Sequence, residues 1–397
     1  MKRILALLLS LMLLLPALSL AEEDEDDILI EDLDESLLMT EDELEELLKD
    51  IDTGDTVSAD TLEKNPNLPD NVINILLIGV DARGTLSEPL LSQQLRKSND
   101  VDKKKSIPKR SDVLIILSIN TDDLSIKLTS IARNLYLELL KWSQKNEEVI
   151  MTKGIIANSF GSAVNNSKGE YVSWIDRPDL CVRTVNHNFG LNIQYYIATN
   201  FYGVIEIIEQ LGGVDIDLTR QEALDINKYL RVHKRAISNH YDTRAANRKK
   251  LTEKAGVQHL DGLQGLMYAR LRESDNDHVR TARVRHLLDT LLKSAVSQLK
   301  DGSLDFTNFA VNCTRYMITN MDLASMVQLA LNVYTNGLLS KVEGGADTLI
   351  SQMRIPMDGT FYYDQNRKDR TLFKEGKKQE NIEEMHRFIY GQYYPAD

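Results

Sequence analysis

The sequence predicts a three-layer αβα fold, a central mixed β-sheet with helices on both faces. Three observations point to it. Residues 73–80 and 113–119 are short, nearly continuous apolar runs, the pattern of strands buried on both sides. Phe201, Val204, Ile205, Ile208 and Leu211 recur at helical spacing and are followed by a Gly212-Gly213 stop. Strand and helix signals then interleave along the chain, as they do where helices cover a sheet.

The elements follow in order. Lys2 and Arg3 precede an apolar run over residues 4–15, Pro16 breaks it, and Ser19-Leu20-Ala21 offers a small-x-small cleavage site. Residues 1–21 are therefore expected to be a signal peptide or an N-terminal membrane anchor. Either reading places the rest of the chain outside the cytoplasm. Residues 22–70 hold 21 acidic and 2 basic side chains, so this stretch more than accounts for the net charge of −13 and the remainder is net positive. It reads as an acidic flexible linker joined to a mildly basic body, which suits an anionic substrate. No nucleic acid is expected as a partner.

The body, expected over residues 71–360, opens with the strand at 73–80. Residues 112–131 read as a β-hairpin turned by Asn120-Thr121-Asp122-Asp123, which makes the sheet mixed. Further strands are expected at 194–199, 214–218 and 352–356. Helices are expected at 201–211, from Asp261-Gly262 through Tyr268, at 278–298 and at 322–337. Residues 222–255 are rich in Lys and Arg with little apolar periodicity and read as a basic mobile insertion. Residues 361–397 are left as a C-terminal extension. The two cysteines, Cys181 and Cys313, are either a pair or two buried thiols; neither has metal-ligand or redox spacing.

The candidate chemistry sits at strand ends, where α/β sheets bind ligands. Asp81 follows the first strand and Asp112 opens the second. Two carboxylates on adjacent strands can share a hard divalent cation, most suitably Mg²⁺, or they can be turn and capping residues. Arginines accompany them: Arg83 two residues past Asp81, Arg110 two before Asp112, and Arg133 after the third strand. Arg270 and Arg272 are one residue apart and would point to one side of an extended segment. Arg280 and Arg283 share a face at the start of a helix. Guanidinium forks bind phosphate oxygens in bidentate fashion, so these seven suit a pyrophosphate, while any one alone could equally pair with a surface carboxylate.

Four blocks carry a family resemblance. They are N-I-L-L-I-G-V-D-A-R at 74–83, R-S-D-V-L-I-I-L-S-I-N at 110–120, Gly212-Gly213-Val214-Asp215, and the block at 256–288. The last contains G-V-Q-H-L-D-G-L-Q-G-L-M-Y-A-R-L-R and D-H-V-R-T-A-R. In order and spacing the chain resembles the LytR–CpsA–Psr family across residues 72–300. The resemblance implies a phosphotransferase that moves a glycopolymer, such as a teichoic acid or capsular polysaccharide, from an undecaprenyl-pyrophosphate carrier to peptidoglycan at the membrane surface. It implies Mg²⁺ on Asp81 and Asp112, and the phosphates on Arg83, Arg110, Arg133, Arg270, Arg272, Arg280 and Arg283. Asp277 would orient an arginine or act as base. The alternatives are a polyprenyl-pyrophosphate phosphatase and a non-catalytic binder of lipid-linked precursors. The chain departs from the family pattern at Ala132-Arg133-Asn134, where a carboxylate commonly follows the arginine, and at residues 153–161, which match the K-x-N-A-A-Y-like segment only loosely.

Overall fold

A computed structural model describes residues 65–80, 110–123, 125–143, 148–163, 176–232, 250–271, 283, 286–291, 293–295, 297–298, 303, 317–321, 350–365, 367 and 370–395. Its strands are β1 (Val72–Val80), β2 (Ser111–Asn120), β3 (Ile126–Ile131), β4 (Tyr136–Ser143), β5 (Glu148–Ile155), β6 (Tyr195–Thr199), β7 (Val214–Leu218), β8 (Gly256–Leu260), β9 (Met317–Thr319), β10 (Ile350–Ile355), β11 (Phe361–Tyr363) and β12 (Thr371–Phe373). The α-helices are α1 (Asp176–Phe189), α2 (Phe201–Gln210), α3 (Arg220–Val232), α4 (Gly262–Arg270) and α5 (Lys377–Tyr390). A 3₁₀ segment, Ile156–Ala163, follows β5.

The central sheet has six strands in the order β10-β3-β2-β1-β6-β9. β1 is parallel to β6 and antiparallel to β2, and β10 runs parallel to β3. The sheet is mixed, as the hairpin at 112–131 requires. Alternation along β1 and β2 divides the core. Ile75, Leu77, Val113, Ile115 and Leu117 face one apolar cluster with α2, α3 and α4, while Leu76, Ile78, Val80, Leu114 and Ile116 face a second with α1 and α5. These are the two helical layers predicted from the apolar runs.

Local chemistry explains where the elements begin and end. Asn120 Oδ1 accepts from the Asp122 amide at 2.8 Å, an Asx turn that reverses β2 into β3. Gly212 and Gly213 both have positive φ, and the Gly213 amide donates to the Ile208 carbonyl, which closes α2. Asp261 caps α4: its side chain accepts from the Gln264 amide, and Gln264 Oε1 accepts from the Asp261 amide.

Three expectations need correction. The basic insertion at 222–255 is not irregular over its first part. Residues through Val232 belong to α3, because Ala223 and Ile226 fall on one face and bury in the core. Residues 233–249 lie outside the described residues. Arg270 does not lie in an extended segment: it is the last residue of α4, so alternation does not relate it to Arg272. Finally, residues 361–397 supply α5, whose Met385 and Ile389 are fully buried against the sheet. The β4–β5 and β7–β8 hairpins and α1 were not anticipated as units. The expected helix at 322–337 lies outside the described residues.

Candidate active site

Strand directions bring several of the candidate residues to one edge of the sheet. β1 ends at Val80, opposite Ser111 at the start of β2. β3 ends at Ile131, beside Ile355 at the end of β10, and β6 ends at Thr199 on the same side. Arg110 immediately precedes Ser111, and Arg133 lies two residues past Ile131, so both belong to this edge. Arg110 is exposed and Arg133 half-buried.

The β1–β2 ladder is irregular at this edge. Gly79 pairs with Val113 but Val80 pairs with Ser111, which leaves Asp112 as the extra residue of a β-bulge. A bulge frees one residue from the ladder and bends the strand locally, a device common beside functional sites. The bulge sets the Asp112 backbone beside Val80, the end of β1 and the residue before Asp81 in the sequence. Two carboxylates at neighbouring strand ends are a suitable donor set for a hard divalent cation. Asp81 and Arg83 themselves lie outside the described residues. Among the described residues no group of three or more His, Cys, Asp or Glu is placed to hold a metal ion.

The 3₁₀ segment joins the two arginine-bearing turns. The Ala157 amide donates to the Arg133 carbonyl at 3.0 Å, and the Ile156 amide to the Leu135 carbonyl at 2.9 Å. On its other side, Ser111 Oγ donates to the Ala157 carbonyl at 3.3 Å. Ser159 Oγ donates to the Ile156 carbonyl at 2.8 Å and lies 3.1 Å from Cys181 Sγ. Cys181 is a free thiol with no exposed surface. Burial pushes it up to about 12 against the opposing effect of the Ser159 and Ser111 hydroxyls. On the far side of Arg133, the Asn134 carbonyl accepts from the Thr371 amide at 2.9 Å. Ser111, Ala157 and Ser159 were not singled out from the sequence. The only available signal was that residues 153–161 loosely match a family segment.

A second arginine pair gathers at the end of α4. Arg283 Nε donates to Glu222 Oε1 at 2.8 Å, and its Nη1 donates to the carbonyl of Leu271, the residue after Arg270. Burial acts to raise the Glu222 carboxyl, but hydrogen bonds from Arg283 and Thr219 hold it below the ordinary range. Burial and the nearby Glu222 carboxylate push the Tyr268 phenol up to about 12. Hydrogen bonds therefore link Ser111, the neighbour of Arg110, to the Arg133 carbonyl through Ala157, and Arg283 to Leu271, the neighbour of Arg270. Arg272, Asp277 and Arg280 lie outside the described residues. The Asp112 side chain is likewise not described.

The profile of the LytR_cpsA_psr family matches residues 38–379. A polyisoprenyl-teichoic acid–peptidoglycan teichoic acid transferase, TagV of Bacillus subtilis (strain 168), is 23% identical over 259 residues, covering 64% of this chain and 56% of that protein. TagU of Oceanobacillus iheyensis, a transferase of the same description, is 27% identical over 230 residues, 57% of this chain and 52% of that protein. The matched region thus spans little more than half the length of these curated relatives. Among solved structures, protein gbs0355 from Streptococcus agalactiae superposes with a TM-score of 0.52 at 15% identity, covering 82% of this chain and 90% of that one. A structure of TagT bound to LI-WTA gives 0.50 at 17% identity, covering 85% and 98%. Both share the α/β fold.

Proposed function

The chain belongs to the LytR_cpsA_psr family, and on that footing we propose that it is a phosphotransferase. It moves a glycopolymer from a polyprenyl-pyrophosphate carrier to peptidoglycan, outside the cytoplasm at the membrane surface. The observation that carries the reading is the sheet edge: Arg110 and Arg133, at two motif positions of the family, are tied to one short segment through Ala157 beside the bulge at Asp112. The curated relatives are teichoic acid transferases by name. Among the described residues no helix is long and apolar enough to cross a membrane.

The step is an in-line displacement. An acceptor hydroxyl oxygen attacks the phosphorus that carries the glycan, a new P–O bond forms, and the bridging P–O bond of the pyrophosphate breaks. Polyprenyl monophosphate leaves with the bridging oxygen. Arg83, Arg110, Arg133, Arg270, Arg272, Arg280 and Arg283 hold the phosphate oxygens and neutralise charge that grows on the leaving group. Asp277 takes the hydroxyl proton or orients an arginine. Asp81 and Asp112 would hold Mg²⁺, which supplies further charge neutralisation when bound.

The test is incubation of the purified protein with a polyprenyl-pyrophosphate-linked glycan and peptidoglycan oligomers. Ligated glycan together with polyprenyl monophosphate is expected, with Arg133→Ala reducing turnover on the order of a hundredfold. Glycan release without ligation would replace the reading with a phosphatase. Donor binding without turnover, a reading that Asn134 in place of the usual carboxylate motivates, would make the chain a sensor of lipid-linked precursors.

A further inference from the structure

We infer that Ser111 is a positioning residue: its buried hydroxyl locks the strand start that bears Arg110 and Asp112 to the turn that bears Arg133. The inference deepens the proposed function, since that reading identifies which residues act on the substrate.

The bulge leaves Asp112 unpaired between Ser111, which still pairs with Val80, and Val113, so the ladder is locally interrupted at this strand start. A substitute hold is present. Ser111 Oγ donates to the Ala157 carbonyl, and the Ala157 amide donates to the Arg133 carbonyl, so one peptide unit apart the same residue grips both turns. The grip is dry: Ser111, Ser159 and Cys181 have no exposed surface, so water does not compete for these groups.

Proton counting shows that the set is closed. The Ser111 and Ser159 protons go to the Ala157 and Ile156 carbonyls. The single Cys181 proton then serves a serine oxygen, which both hydroxyls still offer. Ser159 and Cys181 thus brace the 3₁₀ segment, and Ser111 is the member that reaches to it from the strand. The rest of β2 is held by its ladders to β1 and β3, so folding of the strand does not depend on this hydroxyl.

The test compares Ser111→Ala with Tyr390→Phe. The latter removes a partly buried hydrogen bond from Asn74 at the opposite end of the sheet and serves as a control for stability alone. Thermal midpoint, kcat, KM for the lipid-linked donor, and amide exchange at Ala157 are measured for each. Ser111→Ala is expected to lower kcat on the order of tenfold, and to speed Ala157 amide exchange by a similar factor, the equivalent of one lost hydrogen bond. Its KM should stay within about twofold of wild type. Ser111→Cys, a weaker donor of similar size, should recover part of the loss. Tyr390→Phe should shift the midpoint and leave kcat and Ala157 exchange unchanged. If the two variants share one kcat and one Ala157 exchange rate, the inference is overturned even though the wild type turns over donor. If the wild type turns over no donor, the proposed function fails, and Ala157 exchange alone decides whether Ser111 holds the turn.

Discussion

Arg283 and Glu222 form an ion pair that is nearly closed to solvent, with Nε 2.8 Å from Oε1 and side-chain exposures of 11% and 16%. It fastens α3 to a residue of the arginine block, and Arg283 also reaches the Leu271 carbonyl. Breaking such a pair from one side leaves a desolvated charge, so Glu222→Ala should cost about 3 kcal/mol in urea unfolding.

The same pair sets an acid limb to stability. Hydrogen bonds from Arg283 and Thr219 outweigh burial and hold the Glu222 carboxyl low. A carboxyl depressed on folding contributes fully above its unfolded value, about 4.3, and the contribution is lost as pH falls through the folded value. Wild type should therefore lose urea stability below about pH 4.3 more steeply than Glu222→Gln. Equal slopes would show that the pair adds nothing at neutral pH.

Two glycines on α4 should differ in their response to a methyl group. A Cβ on Gly262 would strike the Ile205 carbonyl and lie 2.8 Å from Glu209 Cγ, whereas one on Gly265 meets Ile208 Cδ1 at 2.7 Å. A backbone carbonyl in a packed helix pair has nowhere to go, while a terminal methyl can rotate away. Gly262→Ala should cost about 3 kcal/mol and Gly265→Ala about 1 kcal/mol, read from unfolding midpoints.

His386 should make the fold sensitive to mild acid. Its ring is buried, Nε2 donates to the Phe189 carbonyl at 2.8 Å, and Nδ1 accepts from the Tyr394 amide at 3.4 Å. Burial pulls its pKa below the ordinary value. A histidine depressed on folding contributes fully above its unfolded value, about 6.5, and that contribution falls as pH drops through and below it. Between pH 7 and 5 wild type should lose stability and His386→Gln should lose less, after an initial cost of about 2 kcal/mol at pH 8. A His386→Gln profile parallel to wild type would remove His386 as the cause.

Cys181 should be chemically silent in the native protein. The thiolate is the reactive form, and burial pushes this thiol up to about 12. Iodoacetamide at pH 8 should leave the Cys181 peptide unmodified in native protein and alkylate it in urea, as read by peptide mass spectrometry. Native labelling would mean that the seal around Ser111 and Ser159 opens.

The sheet was legible in the sequence because β1 and β2 are buried on both faces, and no polar residue interrupts residues 75–78 or 113–117. The β2–β3 turn was legible because Asx chemistry is local. α3 was not, since only one stripe, with Ala223 and Ile226, faces the core and the charged residues interspersed with it hide the periodicity. β4 was missed because Leu140 and Trp142 break the alternation that Leu137 and Leu139 begin. At the site, strand ends alone placed Arg110 and Arg133 on one edge. The Ser111–Ala157 bond was out of reach, because it runs from a side chain to a backbone carbonyl 46 residues away, and no residue type announces an accepting carbonyl.

The side chains of Asn65 and Asn67 hydrogen-bond to the carbonyls of Gly190 and Pro395, which gathers the chain leading into β1 and the chain leaving α5 at one place. That place is the beginning of β1, and Arg110 and Arg133 lie at its far end, nine residues and about 27 Å away along the strand. The described fold therefore has its two chain ends at one pole and the Arg110–Arg133 edge at the other. Protein immobilised through Asn65 or Pro395 should keep that edge open to solution.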